Sequence, residues 1–500
     1  MDCFVVIDCG TSGCRAAVVA HNGRILDTIR KPVQIDCPEP FFAEVDTGRI
    51  WQQVCAALTG LLDHFRPHQV AAVGVSAMLG YVLLDRNARP LMPAAIWMDN
   101  RARVQTERIR ESIQQDEIYR KTGRRPTPEL LAPRLLWLAE HRPDIYRQIN
   151  RVIGLKDDIV RRLTGTITTD VAHLDYTLLH NIVEQRLDEG ILGALQIDPS
   201  IFSPAQRAGD LAGTISLAAA RTTGLAAGTP VVVGSSDGTT AMYGGGALEE
   251  NTAVMVAGTT DVLMASASNT VDDPQQVLST NTAMVPGRYL AGGAMGMAGG
   301  AMMQFEKLLH TRIVNIEEKI ARLAPGSEGL LVFPGISGER APYWQENTGG
   351  GMIGLRRDHR PEHILRAIME STAYRAYRLL NIMAQNGLDS ESIRVVGGTA
   401  KNDVWNQIRA DVWGRPVARP DISEATLLGT AMFCRSALEP ALGLEEIARQ
   451  WIRIAKRYDP DPKAHETYRK MSALFDELIE SNADLFKALS DMVGSSRDSE

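Results

Sequence analysis

The chain has 500 residues, 44% of them hydrophobic and 23% charged, with a formal net charge of -7 at pH 7. That length exceeds what a single core ordinarily supports, so two or three domains are expected, and no apolar run is long enough to span a bilayer. The acidic balance argues against a nucleic-acid or anionic-membrane binder, which would carry a basic patch, and favours small-molecule chemistry.

The opening segment MDCFVVIDCGTSG lacks the basic region, long apolar stretch and cleavage site of a secretory signal, so a cytoplasmic protein is expected. Cys3, Cys9 and Cys14 have no CxxC spacing and are read as reduced thiols. From this start the pattern predicts a strand over Phe4 to Asp8, a turn from Cys9 to Gly13, a returning strand from Arg15 to Ala20, an Asn22-Gly23 turn and a further strand from Arg24. Asp46 or Thr47 can cap a helix whose apolar positions Ile50, Trp51, Val54, Leu58, Leu61 and Leu62 recur at helical spacing, and a buried strand from Val70 to Ser76 follows. The alternation of strands and helices indicates α/β architecture with mixed sheets flanked by helices. Around Asn251 the opening pattern returns as a strand, the turn Ala257 to Asp261 and a returning strand from Val262 to Ala265, which suggests a second copy of the first unit. The glycines Gly244, Gly245 and Gly246 mark an expected boundary and hinge, dividing the chain into 1–244 and 245–500. A helix from Ala464 and a fraying charged tail, SSRDSE, are expected at the end.

Phosphate binding requires backbone N–H groups converging on oxygens, with small residues to permit close approach and hydroxyls as added donors. Thr11 and Ser12 in the first turn, and Gly258, Thr259 and Thr260 in the second, meet that need. Each turn alone reads equally well as a plain hairpin. Asp8 at a strand end offers a carboxylate for a magnesium ion, and Arg15 a positive charge. In VVVGSSDGTTAMYGGG the lone carboxylate Asp237 follows a buried strand; it is either the base for phosphoryl transfer to an alcohol or a helix cap.

Together DCGTS, AGTTD, GSSDGTT, APRLLWL (with Arg134 where a lysine is usual), VVGGTAKNDVWNQIRADVWG and, most specifically, Gly350 to Glu370 resemble the FGGY carbohydrate kinases along nearly the whole chain. The resemblance implies two actin-like, ribonuclease H-like domains around a cleft, and ATP-dependent phosphorylation of a small sugar with Mg2+. Ketopentoses such as xylulose or ribulose lead as acceptors, with gluconate, tetritols, glycerol and other linear sugars as alternatives. It also implies Asp237 as catalytic base, Asp8 and Asp237 near the metal, and Thr11, Ser12, Arg15, Gly258, Thr259 and Thr260 on the phosphates. Gly300, Gln304, Gly398, Thr399 and Asn402 are implied around the nucleotide, with GERAPYW (Gly338 to Trp344) structural or cleft-facing. Met78, Leu79, Trp97, Asp99 and Arg101 match the substrate face of xylulokinase-like members, except that Leu79 stands where those have histidine. On residues alone, Asp99 is as readily a helix cap and Trp97 a core residue. Sugar and ATP are the implied partners, with no nucleic acid or membrane, and homodimers occur among relatives.

Overall fold

The computed structural model describes residues 3–497 except 64, 66–68, 337, 346–347 and 423, so the last three residues of the tail lie outside it. Strand β1 (Cys3–Gly10) is apolar along most of its length because both its faces are covered. Val5, Ile7 and Cys9 enter one core while Phe4 and Val6 enter another, the burial a central strand between helical layers requires. β2 (Gly13–Ala20) returns antiparallel with Asp8 opposite Arg15, and β3 (Ile25–Lys31) forms the edge. Helix α1 (Thr47–Leu62) is capped by Asp46, whose carboxylate accepts from the Arg49 amide at 2.9 Å, and buries Ile50, Val54, Leu58 and Leu61. β4 (Val70–Ala77) runs parallel to β1, followed by β5 (Leu211–Thr214), β6 (Pro230–Val232) and helix α2 (Asp237–Gly245). The sheet order is β5-β6-β4-β1-β2-β3.

The second half comprises β7 (Thr252–Ala257), β8 (Thr260–Ala267), β9 (Ser279–Thr282), β10 (Tyr289–Met297), α3 (Gly299–Leu308), α4 (Pro361–Gln385), β11 (Ser392–Val396), α5 (Asp403–Trp413), β12 (Val417–Pro420), α6 (Ala425–Leu438) and β13 (Ile454–Tyr458). Its order is β9-β10-β8-β7-β11-β12-β13. Setting β9 aside, this repeats the first sheet strand for strand. β7 is antiparallel to β8 and parallel to β11, as β1 is to β2 and β4, and each far edge closes with an antiparallel strand.

Helices α2 and α6 lie between the sheets, α6 against β1 and β4 and α2 against β7. Their crossing is close enough that a Cβ on Gly244 would stand 2.0 Å from the Ala425 carbonyl oxygen, and one on Gly429 2.1 Å from that of Thr240. The glycine triplet at the marked boundary thus forms the end of α2, with Gly246 as its left-handed cap at φ 86°. A separate lobe, inserted after β4 for the most part, has its own core around Tyr81, Ile109, Leu135 and Leu179 and a four-stranded sheet whose edge strand Glu44–Val45 precedes β4. Two helices, Pro462–Ser481 and Ala483–Arg497, end the chain, so the tail is helical through Arg497 where fraying was expected. Among the described residues no helix is long and apolar enough to cross a membrane.

One reading is corrected. Cys9 and Cys14, expected as thiols, form a disulfide. They are directly opposed in the β1–β2 register, a pairing their spacing in sequence does not reveal.

Candidate active site

The turn between β1 and β2 presents Thr11 and Ser12 at the wall of a cleft of about 860 Å3. Asp8, only 1% exposed, reaches the same cleft from the end of β1. Its Oδ1 accepts from the Ser76 hydroxyl at 3.0 Å and its Oδ2 lies 3.0 Å from Arg15 Nη2 across the hairpin. Arg15 also pairs with Glu424, the residue before α6, and so ties the first hairpin to the helix layer. Burial raises the Asp8 carboxyl, opposed by Arg15 and the Ser76 hydrogen bond.

Asp237 is the first residue of α2, with Ser236 at the cap position, and its Oδ1 accepts from the Gly238 amide at 2.7 Å. Part of its surface stays open to the cleft while protein surrounds the rest. A Cβ on Gly10 would lie 3.7 Å from Asp237 Oδ2 and 4.0 Å from Arg15 Nη2, so the end of β1 stands directly beside this carboxylate. Burial, then the charge of Asp8, push Asp237 up to about 7. A carboxylate near neutrality with access to a cleft is suited to taking a proton from an alcohol. No cluster of three or more acidic, histidine or cysteine side chains that could hold a metal occurs among the described residues. The pair Asp8 and Asp237 suits an ion that keeps most of its waters and is carried in on phosphates.

The β7–β8 turn brings Gly258, Thr259 and Thr260 to the same cleft. Behind it the Ala298, Gly299 and Gly300 amides donate to the Thr259, Gly258 and Thr259 carbonyls at 2.9, 3.0 and 3.0 Å, which fastens the start of α3 to the hairpin. Gly300 is needed for that contact, since its Cβ would meet Thr259 at 2.8 Å, but it does not line the cleft. Gln304 is exposed and also off the lining, whereas Met302 and Met303 beside it are on it. Gly398, Thr399 and Asn402 line the cleft before α5. Asn402 Oδ1 caps that helix by accepting from the Trp405 amide at 2.7 Å, and Thr399 Oγ1 accepts from Arg409 at 2.7 Å.

Of the residues expected on the substrate face, Leu79 and Trp97 line the cleft, held side by side by a 2.9 Å bond from the Trp97 amide to the Leu79 carbonyl. The others lie off it. The Met78 side chain packs in the first-sheet core. Asp99 is fully buried, accepting from the Ala43 amide at 2.8 Å and from Arg101 at 2.6 Å, and it caps no helix. Arg101 also pairs with Glu44 at 2.6 Å and stacks on Phe42, making the trio an internal brace. In their place the cleft is lined by Arg124, Arg125, Thr127, Glu129, Tyr176, Arg340 and Trp344. Only the GERAPYW segment drew notice to two of these. It is both structural and cleft-facing: Glu339 forms a buried pair with Arg375 at 3.0 Å, Arg340 meets Glu129 at 3.0 Å, and Trp344 adopts a left-handed backbone (φ 52°) that places its ring on the wall. The most specific motif serves packing. Glu370 is buried under bonds from Gly326, Ser327, Arg366 and Tyr468.

Two sheets of one topology whose phosphate-type hairpins open onto a shared cleft, with a carboxylate pair beside the first, define a phosphotransferase of the actin-like fold. The chain belongs to the FGGY family of carbohydrate kinases: its N-terminal domain profile matches residues 3–244 and its C-terminal domain profile residues 253–438. Over 484 residues it is 26% identical to the xylulose kinase of Escherichia coli K12, covering 95% of this chain and 98% of that one. Over 495 residues it is 29% identical to the autoinducer-2 kinase of the same strain, covering 93% and 92%. Among solved structures, the xylulose kinase of Lactobacillus acidophilus superposes with a TM-score of 0.92 at 24% identity, covering 98% of this chain and 100% of that one. The gluconate kinase of that organism gives 0.91 at 24%, with the same coverage. These likenesses establish the fold, and the profiles establish a sugar kinase that uses ATP.

Proposed function

We propose that the protein transfers the γ-phosphoryl group of ATP to a hydroxyl of a small linear sugar, a ketopentose or an aldonate of similar length. The observation that carries this reading is Asp237, a cleft-facing carboxylate pushed up to about 7 beside the Asp8–Arg15 pair. The acceptor oxygen forms a bond to the γ-phosphorus as the bond to the β,γ-bridging oxygen breaks. ADP leaves with that electron pair, and the hydroxyl proton passes to Asp237 and then to solvent. Thr11, Ser12, Thr259, Thr260 and the hairpin amides hold the phosphates in line, and Arg15 offsets their charge. Gly398, Thr399 and Asn402 bound the adenosine, and Leu79 and Trp97 pack on the acceptor's carbon skeleton. Magnesium brought in on ATP supplies further charge neutralisation, with Asp8 and Asp237 as the residues that would hold it. A division at 244/245 with closure of the two domains, a cytoplasmic location and a homodimeric state belong to the same proposal by family resemblance.

The test is Asp237→Asn, assayed by ADP release with and without sugar. Sugar-dependent kcat is expected to fall by about 10²–10⁴-fold with ATP binding retained. Turnover above a tenth of the wild-type rate would remove Asp237 from this role.

A further inference from the structure

The acceptor-side wall carries a cation that the reaction above does not use. Arg124 is 8% exposed, lines the cleft and stacks with its Cζ 3.8 Å from the centre of the Tyr176 ring. One nitrogen, Nη2, donates to Asn281, a neutral acceptor, while Nε is buried with no hydrogen-bond partner. Among the described residues no carboxylate comes within ion-pair distance of it. A guanidinium removed from water without an anion is costly, so one left unpaired on a cleft wall is open to a ligand that supplies the charge.

Its neighbours point the same way. The carboxylate on this wall, Glu129, is engaged by Arg340 at 3.0 Å, and Arg125 lies with its Cζ 4.9 Å from the Trp344 ring. Asp99, which would accept sugar hydroxyls, is locked behind the wall by Arg101. Leu79 presents no polar group at all. A wall built for a neutral polyol needs acceptors for several hydroxyls. This wall sets planar donors beside apolar and aromatic faces, with Thr127, Ser279 and the Arg340-bound Glu129 as its acceptors, and a guanidinium matches a carboxylate with two parallel hydrogen bonds.

We infer that the acceptor is a sugar acid, a polyhydroxylated monocarboxylate whose carboxylate is received by Arg124 while a hydroxyl elsewhere on its chain meets Asp237. The inference rests on the kinase reading and narrows its acceptor from two classes to one.

The experiment measures ADP release by the full-length protein with MgATP against four- to six-carbon aldonates and the alditols and ketoses of the same lengths. It runs with wild type, Arg124→Gln and Arg124→Lys, and records thermal shifts with each sugar alone. Wild type should prefer an aldonate to its neutral counterpart by at least about 10-fold in kcat/KM. Arg124→Gln should raise the aldonate KM by about 10²-fold with a smaller change in kcat, and Arg124→Lys should recover part of it. The aldonate alone should raise the melting temperature of wild type and not of Arg124→Gln, while MgATP should raise both, a combination that loss of fold in the variant cannot produce. A neutral ketose or alditol turned over better than every aldonate overturns the sugar-acid inference and leaves the kinase reading standing. Absence of sugar-stimulated turnover and of any thermal shift across the panel overturns both.

Discussion

The two sheets repeat one strand order and one set of directions, yet their hairpins are chemically unlike. At the first, the carboxylate sits on the outgoing strand: Asp8 faces the cleft and is met across the hairpin by Arg15. At the second, the carboxylate sits on the returning strand. Asp261 is fully buried, neither oxygen is hydrogen-bonded among the described residues, and burial lifts it to about 6 against the pull of Arg409 and Arg375. That hairpin lines the cleft with Gly258, Thr259 and Thr260 and with the apolar Val256, Val262 and Met264, none of them charged. Topology therefore supplies two like turns on one cleft, and the residues of the flanking strands decide which of them also brings charge to it. The sharpest way to break this contrast is to neutralise each carboxylate in turn. Asp8→Asn is expected to lower kcat by about 10²-fold, since it removes a cleft charge and releases Arg15. Asp261→Asn should leave kcat within about 3-fold and act on stability, because its carboxyl is buried and does not line the cleft. Equal losses of turnover would show the halves to be chemically equivalent.

A smaller effect is expected where the halves meet. Gly429→Ala puts a methyl group against the Thr240 carbonyl and must push α6 from α2. Overpacking of this kind costs about 1–3 kcal/mol, read as a lower melting temperature. The same substitution at Gly258, where the nearest atom to a Cβ is 3.4 Å away, should be close to neutral for stability.

These contacts show what was legible in sequence. Both hairpins could be read because a buried strand followed by small and hydroxyl residues is a local pattern. The lone Asp237 stood out for the same reason, as a charge among glycines and threonines. The cross-strand pairing of Cys9 with Cys14 depends on register, which a turn of unknown type leaves undetermined. Asp99 and Arg101 carried the right chemistry, but their direction is set by Phe42, Glu44 and the Ala43 amide, residues about 57 positions earlier, and they point away from the cleft. The wall that replaces them joins Glu129 to Arg340, 211 residues apart, a contact that no local pattern contains. The motif from Gly350 to Glu370 identified the family while its acidic end braces the interior.

The finest test of the first hairpin's charge is the acid limb of the pH profile. Because Asp237 must be deprotonated to act, kcat/KM should rise with pH through a midpoint near 7 in the free enzyme. Burial is the larger cause of that displacement and Asp8 the second, so Asp8→Asn should move the midpoint downward while leaving it above the ordinary carboxylate range. Stability carries the same sign. A carboxyl raised on folding favours the native state while protonated and loses that contribution as pH climbs from its unfolded value through about 7. Wild type should therefore melt below Asp237→Asn at pH 8, and the gap should close below pH 4, where both side chains are neutral in either state. A midpoint near 4, unmoved by Asp8→Asn, would mean that Asp237 works in water-like surroundings and that the charge of the first hairpin does not reach it.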